Sequence, residues 1–170
     1  MIELLILYEL SQKVFTMYGI FHEIRTKLKV LTTPSLGTIK PALTRMEAKG
    51  LIKSQKSISS GGRRSTFYSI TQEGKEELKN LVLSSISENP IQFLTTARVR
   101  IICSSVLNTE AKKELFKLLK TKSENIMLDT KNLMKDSGLD FYTKMVFDNL
   151  LCECNNLVSL LEGLERAGKD

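Results

Sequence analysis

The chain has no tryptophan, one histidine and three cysteines among its 170 residues, and each shortage argues against a class of function. Without tryptophan, no ligand is held by stacking between indole rings. The single histidine, His22, has no second imidazole with which to build a metal site or a catalytic triad, so we interpret it as a structural or surface residue. Three cysteines do not make a disulfide framework, which favours a reducing, cytoplasmic location.

Long apolar runs and catalytic motifs are also missing. The run IELLIL near the start is far too short to span a bilayer, so we expect neither a signal peptide nor a membrane anchor. The chain shows no Gly-rich phosphate loop, nucleophile elbow or paired carboxylates. Cys152 and Cys154 point about 200° apart on a predicted helix, so we expect buried or idle thiols, with redox sensing as the alternative. We therefore predict no enzymatic activity, no metal and no cofactor.

Acidic residues are almost absent from residues 25–64. This region holds ten lysines and arginines and one acid, Glu47, so its local charge is +9 in a chain whose net charge is +6. A charge that is concentrated within one region indicates a surface that binds a polyanion. The alternative is a basic face that serves only solubility.

Apolar spacing predicts three short helices in the first fifty residues. IELLILYEL suits a helix that is buried on most of its circumference, and MYGIFHEIRTKL repeats apolar residues at spacings of three and four. A third helix follows TTPSLG, with Gly50 just after its end. Pro41 early in this helix predicts a start near residue 37 or 38. The predicted core stripe of the third helix is Leu36, Ile39, Leu43 and Met46.

Two strand-like segments, LIKSQKSI and STFYSI, follow on either side of Gly61 and Gly62. Three helices and then a hairpin are the element order of a winged helix-turn-helix. The stretch SISSGGRRSTFY is therefore either a solvated turn or a wing that touches nucleic acid. Thr71 is the predicted N-cap of a fourth helix that continues to about residue 87.

Asn89 and Pro90 predict a domain boundary, because they suit the N-cap and first position of a new helix. We expect a winged helix-turn-helix domain over residues 1–88 and a helical domain over residues 89–170, with helices over 90–107, 110–136 and 140–167. The last helix has apolar residues at alternating spacings of three and four, which suits a dimer seam or, alternatively, a core helix of a monomer. We favour the dimer. The seam residues are Phe147, Leu150, Cys154, Leu157, Leu161 and Leu164.

The stretch SLGTIKPALTRMEAKGLI, residues 35–52, resembles the recognition helix of the PadR family of transcriptional regulators. GGRRSTFYSITQEGKEEL resembles that family's wing and following helix, and Tyr18-Gly19-Ile20 is similar to its second-helix motif. The resemblance covers residues 1 to about 85. Lys40 departs from the family pattern, which usually has tyrosine there. The matching residues in the first stretch are Gly37, Thr38, Pro41, Ala42, Leu43, Arg45, Glu47, Gly50, Leu51 and Ile52.

This resemblance implies a mainly α-helical, dimeric, cytoplasmic DNA-binding regulator that acts as a repressor. Its partners would be double-stranded DNA with a pseudo-palindromic operator, a second copy of the chain, and an unknown small-molecule effector or protein acting on the helical domain. Arg45 would bond guanine or a phosphate, or else be a solvated arginine. The residues expected to contact DNA are Ser35, Thr38, Lys40, Pro41, Thr44, Arg45, Lys49, Lys56, Arg63 and Arg64.

A rival interpretation is a protein-interaction module, since winged helices also serve as scaffolds. The basic region would then bind an acidic protein surface. In the helical domain, Phe93, Phe116, Phe141 and Tyr142 either line an effector pocket or pack in the core, and core packing is the simpler interpretation.

Overall fold

The computed structural model describes residues 1–58, 62, 64–84, 86–135 and 138–167, and its elements follow the predicted order. The chain divides into two units, residues 1–84 and 85–170. The predicted mainly helical fold, with an N-terminal winged helix-turn-helix and a helical second half, is confirmed. The domain boundary between residues 88 and 89 stays a prediction.

The first unit combines four helices with a small antiparallel sheet. Strand β3 lies between β1 and β2 in this sheet. The sequence did not predict β1, because two residues are too few to show a periodicity. The fourth helix is shorter than predicted, ending at residue 83 instead of about residue 87. The elements are α1 (Ile2–Gln12), β1 (Phe15–Thr16), α2 (Met17–Leu28), α3 (Leu36–Ala48), β2 (Ile52–Ile58), β3 (Arg64–Ile70) and α4 (Gln72–Leu83).

Helix α1 is the centre of this unit. It is buried on most of its circumference, as its sequence predicted, because α2, α3, α4 and β3 all pack against it. Leu36 departs from the predicted core stripe of α3, since 39% of it is exposed. It occupies the first position of the helix, one turn before α3 reaches the core at Ile39. Fully buried side chains of this core include Leu5, Ile6, Leu7, Ile20, Ile24, Ile39, Met46 and Leu78.

A buried carboxylate helps to fix α2 against α1. Glu9 on α1 is 1% exposed, and its Oε2 accepts a hydrogen bond from Lys27 Nζ of α2 at 3.0 Å. Lys27 also pairs with Glu23 at 2.9 Å. This second hydrogen bond is the main cause of a raised pKa at Lys27 and a lowered pKa at Glu23. Lys27 therefore compensates the one buried carboxylate that α1 brings into the core.

The end of α3 and the start of α4 meet at Leu51. Gly50 has a φ of 72° and ends α3 as predicted, with its N–H donating to Glu47 and the Leu51 N–H donating to Met46. The Leu51 carbonyl in turn accepts from the Thr71 N–H at 3.0 Å. Thr71 is the predicted N-cap of α4, and its hydroxyl accepts from the Gly74 N–H. One backbone junction therefore joins the recognition helix, the wing and α4.

The second unit is built from helices. Asn89 caps the first of them through two backbone N–H groups and Pro90 occupies its first position, both as predicted. This helix ends at Cys103, and a short 3₁₀ helix, Ser104–Val106, completes the predicted segment. No helix in the described part of the chain is long and apolar enough to cross a bilayer. The helices are α5 (Pro90–Cys103), α6 (Thr109–Leu133) and α7 (Phe141–Ala167), with α6 and α7 packed together.

Substituting Gly74→Ala tests the junction at Leu51. A Cβ at position 74 would lie 2.0 Å from the Leu51 carbonyl oxygen and 2.8 Å from Ile70 Cγ1, so backbone must move. We expect a loss of about 1–3 kcal/mol in the free energy of unfolding, read as a lower Tm by circular dichroism. The control is Gly37→Ala, whose Cβ would make only an ordinary contact of 3.5 Å with Ser35 Oγ. Equal Tm values for the two variants would show that Gly74 is not needed for this close approach.

Candidate nucleic-acid interface

One face of α3 is free of the core and carries small residues along its centre. Gly37, Pro41, Thr44 and Ala48 are spaced four, three and four apart, and all are exposed. This ridge lets the helix approach another surface closely, as entry into a major groove requires. Three residues of the predicted core stripe, Ile39, Leu43 and Met46, are buried, and contact of the exposed face with DNA stays a prediction. The exposed residues predicted here to contact DNA are Ser35, Thr38, Lys40, Pro41, Thr44, Arg45 and Lys49.

Hydroxyl groups on this face are already used within the helix. Thr38 Oγ1 accepts from the Ser35 N–H at 3.1 Å and donates to the Ser35 carbonyl at 2.8 Å, which fixes the start of α3. Thr44 Oγ1 donates to the Lys40 carbonyl at 3.2 Å. Both threonines therefore commit their hydroxyl protons to the backbone. What remains for a ligand is their methyl groups and oxygen lone pairs.

Pro41 lies one or two residues further into α3 than the sequence predicted. The helix begins at Leu36 instead of residue 37 or 38, so proline is its sixth residue. Pro41 has no N–H to donate to the Gly37 carbonyl, its partner four residues earlier. That carbonyl is therefore left as an acceptor on the exposed face of the helix.

Arg45 has a partner that the sequence did not reveal. Its Nε and Nη2 both donate to Glu3 Oε1 of α1, at 3.2 and 3.0 Å. These residues are 42 positions apart, so no helical spacing could have paired them. Among described residues, no acid forms an ion pair with Lys40 or Lys49.

The hairpin register turns two cations toward α3. Lys56 lies opposite Thr66, and two residues along, Ile58 lies opposite Arg64. Since residues two apart in a strand share a face, Lys56 and Arg64 lie on the face that also carries Ser54. The Ser54 hydroxyl donates to the Glu47 carboxylate of α3. The wing face with these two cations is therefore the face that borders the recognition helix.

The base of this wing face is partly buried. Burial, with a smaller contribution from the Glu47 carboxylate, raises the pKa of the Tyr68 hydroxyl. Toward the tip, Lys56, Ile58 and Arg64 are exposed, and Gly62 has a φ of 76° that suits a tight turn. Four residues of the predicted wing stretch lie outside the described residues: Ser59, Ser60, Gly61 and Arg63. The wing thus becomes more exposed and more cationic with distance from the core.

An aromatic and cationic cleft lies along α2. Phe21 is central to it, with its ring 6.0 Å from that of Tyr18 and the Arg25 guanidinium 5.7 Å from its centroid. His22 lines the same cleft and is exposed, which agrees with its interpretation as a surface residue. The described part of the chain brings no three His, Cys, Asp or Glu residues together as a metal site.

The predicted seam residues are divided by burial within the single chain. Cys154, Leu157 and Leu161 are at most 3% exposed, and burial raises the pKa of the Cys154 thiol. The other three, Phe147, Leu150 and Leu164, are half-buried. Their role as a dimer interface stays a prediction. The strongly exposed apolar residues of α7 lie elsewhere on the helix: Phe141, Tyr142, Met145, Val146 and Leu160.

Comparison with known proteins identifies the family. The transcriptional regulator PadR-like family matches residues 6–80. A PadR family transcription regulator from hypervirulent Clostridium difficile R20291 is 40% identical, and the match covers 46% of this chain and 79% of that protein, with a TM-score of 0.41. No curated protein matches the chain.

Two structures of Bacillus subtilis PadR match most of the chain. The complex with operator DNA is 20% identical, covers 95% of this chain and 96% of that one, and has a TM-score of 0.46. The complex with p-coumaric acid is 18% identical, covers 96% and 94%, and has a TM-score of 0.38.

The fold defines a winged helix-turn-helix protein with a basic wing. The chain belongs to the PadR-like family of transcriptional regulators, which is not a family of enzymes.

Proposed function

We propose that this chain represses transcription as a homodimer that binds double-stranded DNA sequence-specifically. The observation that carries the proposal is the shared face of wing and recognition helix. Lys56 and Arg64 lie on the strand face of Ser54, and Ser54 is bonded to Glu47 of α3. A duplex whose major groove received α3 would therefore meet the wing cations at its backbone.

One part of this surface would bind the phosphates of the duplex, and the other part would contact its bases. Lys56, Arg64 and Lys40 would bind phosphates, together with Arg63 from outside the described residues, and this contribution depends on salt. The N–H groups of Thr38 and Ile39 donate to the Ser35 carbonyl, which leaves those of Leu36 and Gly37 at the helix start for a phosphate. Bases would be read by the exposed α3 ridge and Arg45.

Selection from a pool of random duplexes tests sequence-specific binding. We expect the selected sequences to converge on a pseudo-palindrome whose half-sites lie about one helical turn apart, because a two-fold dimer presents two recognition helices. Failure to converge would contradict the proposal. The rival, an interaction module for an acidic protein surface, predicts that outcome together with weak competition by duplex DNA.

If Lys56 and Arg64 of the wing bind phosphates, their removal should change the salt dependence of DNA affinity. With Lys56→Ala and Arg64→Ala combined, we expect weaker binding and a slope of log affinity against log salt that is flatter by about 0.9 per lost phosphate contact. The measurement is a mobility shift with the selected duplex over a salt series.

Lys53→Ala is the matched control for the wing. Lys53 has the same charge and belongs to the same strand, but its register with Ser69 places it on the opposite face of the hairpin. We expect its slope to stay close to that of the unaltered chain. If Lys53→Ala, which removes one charge, flattens the slope by half as much as the double variant, which removes two, the effect is one of total charge and the wing face has no special role.

We propose that the dimer forms through α7. Three of the seam residues, Cys154, Leu157 and Leu161, are covered by the chain itself, so a partner would meet the half-buried members and the exposed apolar residues at the start of α7. Phe141, Tyr142, Met145 and Val146 are 52–79% exposed. A contiguous apolar surface of this kind is typical of a protein–protein interface.

A dimer through the start of α7 predicts that Met145→Lys with Val146→Lys yields a monomer in light scattering. The monomer should also bind the selected duplex more weakly, because it loses the second half-site. Leu118→Lys is the control, since Leu118 is also an exposed apolar residue, 45% exposed, but belongs to the first half of α6. A double variant that stays dimeric would exclude this surface.

We further propose that a small molecule or protein partner acting on the helical unit relieves repression in the cytoplasm. Phe93 and Phe116 are buried and serve the core, whereas Phe141 and Tyr142 expose their rings, with centroids 5.6 Å apart. This exposed pair belongs to the surface proposed above for the dimer, so a ligand that binds it would act on the contact between the two protomers. The assay is release of the selected duplex on addition of candidate compounds.

A further inference from the structure

Arg45 is held by one edge of its guanidinium group. Nε and Nη2 both donate to the same oxygen, Glu3 Oε1, and these two nitrogens form the side edge of the planar fork. No described residue accepts a hydrogen bond from Nη1. The end edge, formed by Nη1 and the second Nη2 hydrogen, therefore stays available. It presents the two parallel donors that guanine O6 and N7 accept.

The ion pair between Glu3 and Arg45 is accessible to a bound duplex, and it is held between two helices that pack together. The side chain of Arg45 is 54% exposed and that of Glu3 27%. Glu3 lies in the first turn of α1, where the helix dipole favours a carboxylate. Helix α1 is itself packed against α3, so the carboxylate is presented from a fixed element. An unpaired arginine in this place would instead distribute over many rotamers.

We propose that Glu3 is a positioning residue that orients Arg45 to read a guanine, an inference that rests on the proposed DNA-binding function. Glu3 limits the rotamers of Arg45 before DNA arrives, so less side-chain freedom is lost when the end edge bonds the base. Its negative charge also disfavours phosphates near α1. Glu3 therefore favours the guanine-containing site and disfavours random sequence.

The direction of the change in DNA affinity distinguishes positioning of Arg45 by Glu3 from simple competition between Glu3 and DNA. An exposed ion pair changes an equilibrium constant by up to about fivefold. A bidentate contact with guanine discriminates by about fivefold to more than a hundredfold. If Glu3 only competed with DNA for Arg45, its removal would strengthen binding to every duplex. If Glu3 positions Arg45, its removal weakens binding to the selected duplex and leaves binding to random duplex unchanged or stronger.

The test is Glu3→Gln in the full chain, measured by mobility shift with the selected duplex and a random duplex of equal length. We expect lower affinity for the selected duplex, unchanged or higher affinity for the random one, and a ratio of the two that falls by about threefold to fivefold. Repeated selection with this variant should relax the preference at one base pair per half-site. Higher affinity for both duplexes would show competition and overturn the proposal.

Two further variants separate positioning from charge and from folding. Glu73→Gln removes the same charge from the first turn of α4, a position like that of Glu3 in α1 but outside the proposed DNA surface. It should change both affinities alike and leave their ratio unchanged. In an Arg45→Ala background, Glu3→Gln should no longer lower the ratio, whereas a general effect on α1 packing would persist. A persistent effect, or equal ratios for Glu3→Gln and Glu73→Gln, would contradict the proposal.

Failure of this inference differs from failure of the proposed function. If selection converges and Glu3→Gln leaves the ratio of affinities unchanged, the chain is a sequence-specific DNA-binding protein and Glu3 does not position Arg45. If selection never converges, the proposed function itself is wrong. Thermal unfolding of each variant confirms that the measured chains are folded.

Discussion

The backbone of Leu51 holds the winged helix together. Its N–H completes the end of α3, and its carbonyl binds the N–H of Thr71 at the start of α4. Gly74 lies so close to that carbonyl that a Cβ there would be 2.0 Å away. Because β2 begins and β3 ends at this junction, the direction of the wing relative to α3 depends on it. The proposed DNA-binding surface, which combines the wing and α3, therefore depends on this junction.

Acids near the recognition helix act through specific partners. Glu47, the one acid among ten cations in residues 25–64, binds Ser54 and so ties the wing to α3. Glu3 comes from another helix and binds the only arginine of α3. Each acid reduces the local positive charge, yet each also fixes the orientation of a polar group. Within the +9 region, a carboxylate therefore holds the guanidinium of Arg45, and another joins the wing to α3.

Burial separates the apolar residues of α7 into buried and exposed groups, a distinction that their spacing in the sequence does not show. The seam pattern has the same periodicity whether a partner helix belongs to another chain or to the same one. Within the single chain, Cys154, Leu157 and Leu161 are already covered, and four of the five strongly exposed apolar residues lie at the start of the helix. The seam therefore stays a prediction, because the partner of an apolar helix face depends on three-dimensional packing.

Local features of this protein were readable from the sequence. Helix caps at Thr71 and Asn89, the turn at Gly50 and the exposed face of α3 each depend on neighbouring residues, so short-range patterns predicted them. The start of α3 at Leu36 differed by only one or two residues, within the usual uncertainty of helix ends.

Only the tertiary structure decided which distant groups meet. Glu3 and Arg45 are 42 residues apart, and the wing cations face α3 because of a strand register that no single segment encodes. Local sequence sets the periodicity and the caps, because these depend on contacts three to four residues apart. The contacts that orient Arg45 and the wing depend on how whole elements pack, and the candidate site therefore took its final form only in the folded chain.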